Sequence, residues 1–173
     1  MGVAQRLRAI TADIAALKVD AIVNAANEAL APGAGVDGAI RQAAGPELTR
    51  ATAAIGGCPT PMAVITPGFR LAARYVIHTA APVYAARPGD DLLLADCYRN
   101  ALARAREYQL GVVAFPALGT GIYGWPAAHA AQIAFAAVVA ELRAHALPAQ
   151  VVFCCFRAAD RMRYQALIDA LVD

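Results

Sequence analysis

The sequence predicts an α/β protein whose central sheet is largely parallel. Three observations support this prediction: short β-branched or apolar runs alternate with longer helical patterns, several runs are continuously apolar, and glycines cluster where a run passes into a helical pattern. Continuously apolar strands are typical of parallel sheets that helices cover on both faces. A chain of 173 residues has the length of one domain, so we expect a single domain over residues 1–173.

In chain order, the apolar runs predict six strands and the helical periodicities predict five helices. The expected strands are Gln5 to Ile10, Ala21 to Asn24, Met62 to Thr66, Tyr75 to Thr79, Val112 to Pro116 and Val151 to Phe156. The expected helices are Asp37 to Ala44, Pro46 to Ile55, Asp90 to Tyr108, Pro126 to His145 and Ala159 to Leu171. Pro46 and Pro126 suit the first turn of a helix, where a missing N–H costs no hydrogen bond.

The composition excludes several classes of protein. With 60% apolar and 16% charged residues, the chain is neither disordered, nor a coiled coil, nor a collagen-like repeat. Polar residues interrupt the longest charge-poor stretch, Trp125 to Ala140, and charges interrupt Met1 to Ala16. We therefore expect no membrane span, no signal peptide and a cytoplasmic location. The net charge of +2 is too small to indicate a nucleic-acid surface.

Metal binding is not indicated either. The four cysteines, Cys58, Cys97, Cys154 and Cys155, lack the spacing of metal ligands, and we interpret them as buried reduced thiols. The three histidines fall on separate predicted elements, which argues against a zinc site built from them.

Two glycine-rich loops follow predicted strands. Gly33, Gly35 and Gly38 come after the second strand, and a second cluster, Gly119 to Gly124, comes after the fifth. Ligands of open α/β sheets bind beyond the carboxyl ends of the strands, where such loops offer backbone N–H groups to phosphate oxygens. Two loops predict a ligand of diphosphate size, although tight turns alone would also use glycine. Neither loop has the P-loop lysine or a complete dinucleotide fingerprint, which disfavours NTP hydrolysis and a dehydrogenase.

Polar residues surround the first glycine loop. Asn24 and Asn27 stand at the end of a buried strand, where each amide either fastens the loop or binds a ligand. Asp37 follows at the exit of the loop, near the expected start of a helix. An aspartate there either caps the helix or takes part in the chemistry of the site.

These segments resemble a known family. Val23 to Gly45, VNAANEALAPGAGVDGAIRQAAG, and Pro116 to Tyr123, PALGTGIY, resemble the macrodomains, and among them the MacroD-type ADP-ribosyl hydrolases. Ala12-Asp13-Ile14, Pro59-Thr60 and Val76 to Thr79 match in the same order. The resemblance implies a three-layer α/β/α macrodomain with a mixed, mostly parallel sheet and an ADP-ribose cleft across its strand ends.

The resemblance also implies roles for individual residues. Asp13 would accept the adenine amine, the aromatic ring of Phe156 would pack on the adenine, and the second glycine loop would cradle the diphosphate. Asn27 and Asp37 would be catalytic, with Asp37 activating or orienting water, unless the substrate's own phosphate positions that water. The implied ligand-binding set is Asp13, Ile14, Asn24, Gly33, Ala34, Gly35, Val36, Ala117, Gly119, Thr120, Gly121, Ile122, Tyr123 and Phe156, of which Asn24 is expected to secure its loop from behind.

The implied function is removal of mono-ADP-ribose from acidic side chains and deacetylation of O-acetyl-ADP-ribose, by a monomer that needs no cofactor or metal. Its partners would be ADP-ribose and ADP-ribosylated proteins, with nucleic acid only as a possible ADP-ribosylated substrate. A non-catalytic ADP-ribose reader and a nucleotide-processing enzyme remain alternatives. The chain departs from the family pattern at Pro32-Gly33-Ala34-Gly35, where glycines are usual, and at Arg41, where a histidine is frequent.

Overall fold

The computed structural model describes residues 1–172. Its strands are β1 (Leu7–Thr11), β2 (Ala21–Ala25), β3 (Ala63–Pro67), β4 (Tyr75–Thr79), β5 (Val112–Phe115) and β6 (Gln150–Cys155). Its α-helices are α1 (Gly35–Ala44), α2 (Pro46–Ile55), α3 (Asp90–Glu107), α4 (Ala127–Ala144) and α5 (Ala158–Asp169). Two short 3-10 helices, Ala4–Arg6 and Ile14–Ala16, flank β1. The predicted number and order of strands and α-helices are therefore confirmed over this range.

All six strands form one mixed sheet in the order β1-β6-β5-β2-β4-β3. Four neighbouring pairs are parallel, and β3 runs antiparallel to β4 at one edge. The order places β5 and β2 side by side in the middle of the sheet, with Ala21 opposite Val113. The two strands that lead into the glycine loops are thus neighbours.

Helices cover both faces of the sheet. Alternate residues of β2 point to opposite sides, because Ile22 packs with Ile40 of α1 and Leu48 of α2, whereas Val23 belongs to the larger core with α3, α4 and α5. Ala21, Ile22 and Val23 are completely buried. Burial on both faces explains why the central strands are continuously apolar, and it confirms the expected three-layer α/β/α arrangement.

Several element boundaries differ from the sequence prediction. Helix α1 begins at Gly35 rather than Asp37, and Ala34 is its extended N-cap. Gly35 itself has a φ of +61°, a left-handed conformation that suits glycine. Pro126 is the N-cap of α4 rather than a residue of its first turn. Strand β6 ends at Cys155, so Phe156 lies beyond the sheet. No helix within residues 1–172 is long and apolar enough to cross a membrane.

Candidate functional site

Five parallel strands end at the same edge of the sheet, and this edge carries the predicted site residues. Since the strand order is β1-β6-β5-β2-β4, Asp13 and Phe156 lie at one end of the edge. The loop that contains Gly119 follows β5, and the loop that contains Asn27 and Gly33 follows β2. The sheet therefore arranges residues that are far apart in sequence along one continuous line.

Asp13 and Phe156 occupy adjacent strand ends. The N–H of Ala12 donates to the carbonyl of Cys155 at 3.1 Å, which holds the two chain segments together beyond the sheet. Asp13 Oδ1 accepts the N–H of Ala15 at 3.0 Å and so caps the 3-10 helix Ile14–Ala16, in which Ile14 is buried. Phe156 is 88% exposed. An acceptor beside an open aromatic face suits a flat ring that carries an amino group.

The loop after β5 is folded into tight turns. Gly119 has a φ of +83°, and its carbonyl accepts the N–H of Trp125 at 3.0 Å, while the N–H of Gly124 donates to Gly121 O at 3.1 Å. The indole of Trp125 lies so close that a Cβ on Gly119 would meet its Cδ1 at 2.6 Å. Trp125 Nε1 also donates to Pro82 O at 2.8 Å, which anchors the loop to the segment after β4. Glycine at position 119 is thus required by this packing.

The two glycine loops leave backbone N–H groups unused. Within residues 1–172, no hydrogen bond takes the N–H groups of Gly121, Ile122 and Tyr123. The same holds for Ala34, Gly35 and Val36 at the N-terminus of α1. Thr120 Oγ1 turns inward to Ala117 O at 2.9 Å, so its side chain braces the loop. Free N–H groups on neighbouring loops, with a helix N-terminus among them, suit an anion such as a diphosphate.

Asn27 closes the loop after β2. Its Nδ2 donates to Ala31 O at 3.0 Å, and its Oδ1 accepts the N–H of Ala31 at 3.0 Å, so the side chain pairs with one backbone unit in both directions. A Cβ on Gly33 would lie 3.8 Å from Asn27 Nδ2 and 3.5 Å from Asp37 Oδ2. Asn27 and Asp37, the two predicted catalytic residues, therefore converge on Gly33.

Asp37 is 3% exposed, and its carboxylate is surrounded by donors. Oδ1 accepts from Asn24 Nδ2 at 2.7 Å, while Oδ2 accepts from the N–H of Gly33 at 2.7 Å and from Arg41 Nε at 2.8 Å. The alternative that Asp37 is the N-cap is wrong, because the helix begins two residues before it. In this structure Asp37 holds the glycine loop and offers little surface to water.

Asn24 lies behind this carboxylate. The residue is completely buried and its Nδ2 donates to Asp37 Oδ1, which agrees with the interpretation that Asn24 secures the loop from behind. Its Nδ2 also lies 3.2 Å from His78 Nδ1, and His78 Nε2 lies 3.0 Å from Thr66 Oγ1. Burial, together with the nearby charge of Arg41, lowers the pKa of His78 from 6.5 to about 4. The ring is therefore neutral, accepts from Asn24 and donates to Thr66.

Arg41 is a member of the site to which the sequence alone assigned no role. Its Nε contacts Asp37, its Nη1 donates to Thr49 Oγ1 at 3.1 Å and Thr52 Oγ1 at 3.0 Å, and its Nη2 donates to Leu30 O at 3.0 Å. The spacing of four residues from Asp37 within a predicted helix is the signal that could have identified the pair.

A depression of about 540 Å³ adjoins Tyr123 at the end of the second loop. The N–H of Tyr84 donates to Tyr123 O at 2.8 Å and fixes this wall. The depression is lined by Glu28, Thr60, Ala81, Pro82, Val83, Arg87, Leu93 and Tyr123. Because Glu28 follows Asn27 directly, the depression lies beside the loop after β2.

Within the described residues 1–172, the cysteines and acidic side chains form neither a disulfide nor a metal-binding cluster. All four cysteines are buried and unpaired, as predicted, and burial raises the pKa of Cys97, Cys154 and Cys155 to about 11. In the range 1–172, no three histidine, cysteine or acidic side chains are grouped in a way that could hold a metal ion.

Comparison with known proteins agrees with this geometry. A family model described as Macro domain matches residues 23–134. A Macro domain-containing protein of Ralstonia nicotianae is 51% identical over 165 residues, 94% of this chain and 94% of that protein. An O-acetyl-ADP-ribose deacetylase of Escherichia fergusonii is 46% identical over 170 residues, 94% of this chain and 95% of that protein. The Trypanosoma brucei macrodomain solved in complex with ADP-ribose has a TM-score of 0.89 at 36% identity, covering 94% of this chain and 69% of that one.

Proposed function

This chain belongs to the Macro domain family, and on that premise we propose that it binds ADP-ribose and hydrolyses ester bonds at the distal ribose. The proposed substrates are O-acetyl-ADP-ribose and proteins that carry mono-ADP-ribose on acidic side chains. In both cases water is consumed, the bond to the acyl group breaks, and the products are ADP-ribose and a carboxylic acid. We further propose that the protein acts as a monomer in the cytoplasm, with ADP-ribosylated proteins as partners and without a cofactor.

One observation carries the binding proposal: the order of chemical groups along the carboxyl edge of the sheet matches the order of groups in ADP-ribose. Asp13 and Phe156 offer an acceptor and an aromatic face for adenine. The free N–H groups of Gly121 and its neighbours come next and suit the diphosphate. Asn27 follows on the adjacent strand end and suits a ribose hydroxyl.

The hydrolase proposal rests on the relatives and on the distal end of the edge. The Escherichia fergusonii relative is named O-acetyl-ADP-ribose deacetylase. In this chain Asn27 and Asp37 converge on Gly33, beside the N-terminus of α1. Hydrolysis of an ester requires a well-oriented water and donors for the developing negative charge, and backbone N–H groups can supply such donors. The Asp37 carboxylate already accepts three hydrogen bonds, so it is poorly placed to take a proton from water. We therefore propose that Asp37 orients the loop around the reacting water rather than acting as the base.

The test measures binding and turnover on the same preparation. Calorimetry with ADP-ribose reports binding, and chromatography of ADP-ribose released from O-acetyl-ADP-ribose and from a mono-ADP-ribosylated protein reports hydrolysis. We expect saturable binding and multiple turnovers on both substrates. Tight binding of ADP-ribose without release of ADP-ribose from either substrate would contradict the hydrolase proposal. It would favour a module that binds ADP-ribose without hydrolysing it.

The reader is the second candidate, and one observation favours it. The Asp37 carboxylate is occupied by Asn24, Gly33 and Arg41, so a direct catalytic base is not displayed at the surface. A site that binds ADP-ribose without activating water would use the same adenine and diphosphate contacts.

A further inference from the structure

Among residues 1–172, Arg41 is the one arginine or lysine that is buried, with 7% of its surface exposed. Four hydrogen bonds use all three nitrogens of its guanidinium group. Two of them, to Thr49 and Thr52, tie the group to helix α2. The other two, to Asp37 and Leu30, lead to the glycine loop. Arg41 thus joins the loop to the helical layer beneath it.

Arg41 reaches both ends of the segment 30–33. Its Nη2 binds the carbonyl of Leu30 directly, and its Nε binds Asp37 Oδ2, which in turn accepts the N–H of Gly33. Leu30 has a φ of +55°, a left-handed conformation that a leucine keeps only when its surroundings hold it. The bond from Arg41 to the carbonyl of Leu30 is one such restraint.

We propose that Arg41 is a positioning residue that sets the geometry of the loop at the distal ribose. It holds the segment 30–33, and through that segment it places Asn27 and the free N–H groups of Ala34 to Val36. This inference rests on the proposed function, because the loop is taken to bind the reacting end of the substrate. It also assigns Asp37 the task of linking Arg41 to Gly33.

Arginine is suited to this task because its planar fork presents several donors in fixed directions. A lysine would keep the charge and one bond to Asp37, but a single ammonium cannot also replace the bonds to Leu30 and to both threonines. The adenine contacts and the free N–H groups of Gly121 to Tyr123 lie in the segments after β1, β6 and β5, and none of them contacts Arg41. Loss of Arg41 should therefore affect the reacting end of the substrate more than overall affinity.

The first experiment compares Arg41→Lys and Arg41→Met with wild type in steady-state hydrolysis of O-acetyl-ADP-ribose. We expect kcat to fall about 10-fold in Arg41→Lys and about 100-fold in Arg41→Met, with KM changed less than about 5-fold, the pattern for a misplaced reacting group. Arg99→Met is the matched control, because Arg99 also pairs with a carboxylate, Asp96, but does so at the surface of α3. A kcat per folded molecule equal to wild type in Arg41→Met, measured below its melting temperature, would overturn the proposal.

A double-mutant cycle tests whether Arg41 acts through Asp37. If it does, Asp37→Asn and Arg41→Met disturb the same link, so the double variant should be no slower than the slower single variant. If instead the fold-losses in kcat of the two single variants multiply in the double variant, Arg41 and Asp37 act independently. That result would show that Arg41 does not act through Asp37.

Amide hydrogen exchange supplies a readout that does not need turnover. We expect the N–H groups of Gly33 and Ala31 to exchange at least about 10-fold faster in Arg41→Lys. The Gly33 N–H binds Asp37 Oδ2, the oxygen that Arg41 also binds, and the Ala31 N–H binds Asn27 Oδ1 within the loop that Arg41 holds. The N–H of Trp125, bonded to Gly119 O in the other loop, serves as the internal reference. Unchanged exchange at Gly33 would contradict the proposal even if Arg41→Met failed to fold.

The outcomes separate this inference from the proposed function. If the wild-type protein binds ADP-ribose but hydrolyses no ester, the proposed hydrolase activity is contradicted. In that case, faster amide exchange at Gly33 in Arg41→Lys would still support the proposal that Arg41 holds the loop. A wild type that hydrolyses esters, together with an unaffected Arg41→Met, would defeat the positioning role alone.

Discussion

Asn24 Nδ2 donates to Asp37 Oδ1 at 2.7 Å inside the protein, and this bond joins the end of strand β2 to the first turn of helix α1. The strand precedes the glycine loop and the helix follows it, so the bond closes the loop at its base. Arg41 and the N–H of Gly33 complete the set of donors around the carboxylate. Asp37 is therefore the central acceptor of a buried network.

This network makes Asp37→Ala strongly destabilising. The substitution leaves the charge of Arg41 buried without its partner, and we expect the free energy of unfolding to fall by about 3–5 kcal/mol. Urea denaturation near pH 7 measures the change. Asp160→Ala removes a partly exposed pair with Arg163 in α5 and should cost no more than about 1 kcal/mol. A loss for Asp37→Ala as small as that of the control would show that the buried pair contributes little.

Asp13→Asn tests the adenine contact without removing the helix cap. The asparagine can still accept a hydrogen bond from the N–H of Ala15 through Oδ1. Its Nδ2 replaces the second carboxylate oxygen, and this amide nitrogen is a donor that cannot accept a hydrogen bond from the adenine amine. We expect ADP-ribose affinity to fall by about 1–3 kcal/mol with the melting temperature nearly unchanged. Calorimetry with ADP-ribose and with the hypoxanthine analogue checks this, since wild type should prefer adenine and the variant should lose that preference. Equal affinity of wild type for the two ligands would disprove the role of Asp13.

Gly121 and Gly119 should respond differently to substitution. A Cβ on Gly121 meets nothing within 4 Å, so Gly121→Ala should fold and bind normally. Gly121→Glu should also fold, but its charge would face the diphosphate and lower ADP-ribose affinity on the order of 100-fold. Binding by Gly121→Glu at the wild-type level would rule out this loop as the phosphate site.

Gly119→Ala should lose stability instead. Its φ of +83° and the indole of Trp125 at 2.6 Å from the new Cβ leave no room for a side chain. We expect a loss of about 1–3 kcal/mol in the free energy of unfolding, as for other strained backbone positions. Thermal melts of Gly119→Ala and Gly121→Ala under the same conditions check this expectation. Equal melting temperatures for the two variants would contradict it.

His78 should make the stability of the protein depend on pH. Its pKa is lowered from 6.5 to about 4 in the folded state, mainly by burial. Between these values the unfolded chain binds a proton that the folded protein does not, so stability is lost as the pH falls below 6.5. From about pH 7 to about pH 5 the expected loss is about 2 kcal/mol. Urea denaturation at several pH values in this range gives the free energy of unfolding as a function of pH. That free energy should change clearly less with pH in His78→Gln than in wild type. An equal change in the two proteins would show that His78 is not the group responsible.

The sequence was sufficient to predict the α/β class, the order of the elements and the two glycine loops. These features depend on neighbours along the chain: apolar runs that suit buried strands, prolines near helix starts and glycines at turns. The motifs from Val23 to Gly45 and from Pro116 to Tyr123 were also sufficient to indicate the family. Local pattern was less able to place boundaries, as the early start of α1 at Gly35 shows.

The tertiary structure alone decided what surrounds Asp37. Asn24 and His78 are 54 residues apart in sequence, and they meet because β2 and β4 are neighbouring strands in register. Arg41 reaches α2 and the carbonyl of Leu30 only after two helices pack beside the loop. Such contacts depend on strand order and helix packing, which no single segment encodes. The sequence therefore showed which residues could form the site, whereas the fold decided that Asp37 is a buried acceptor held by Asn24, Gly33 and Arg41.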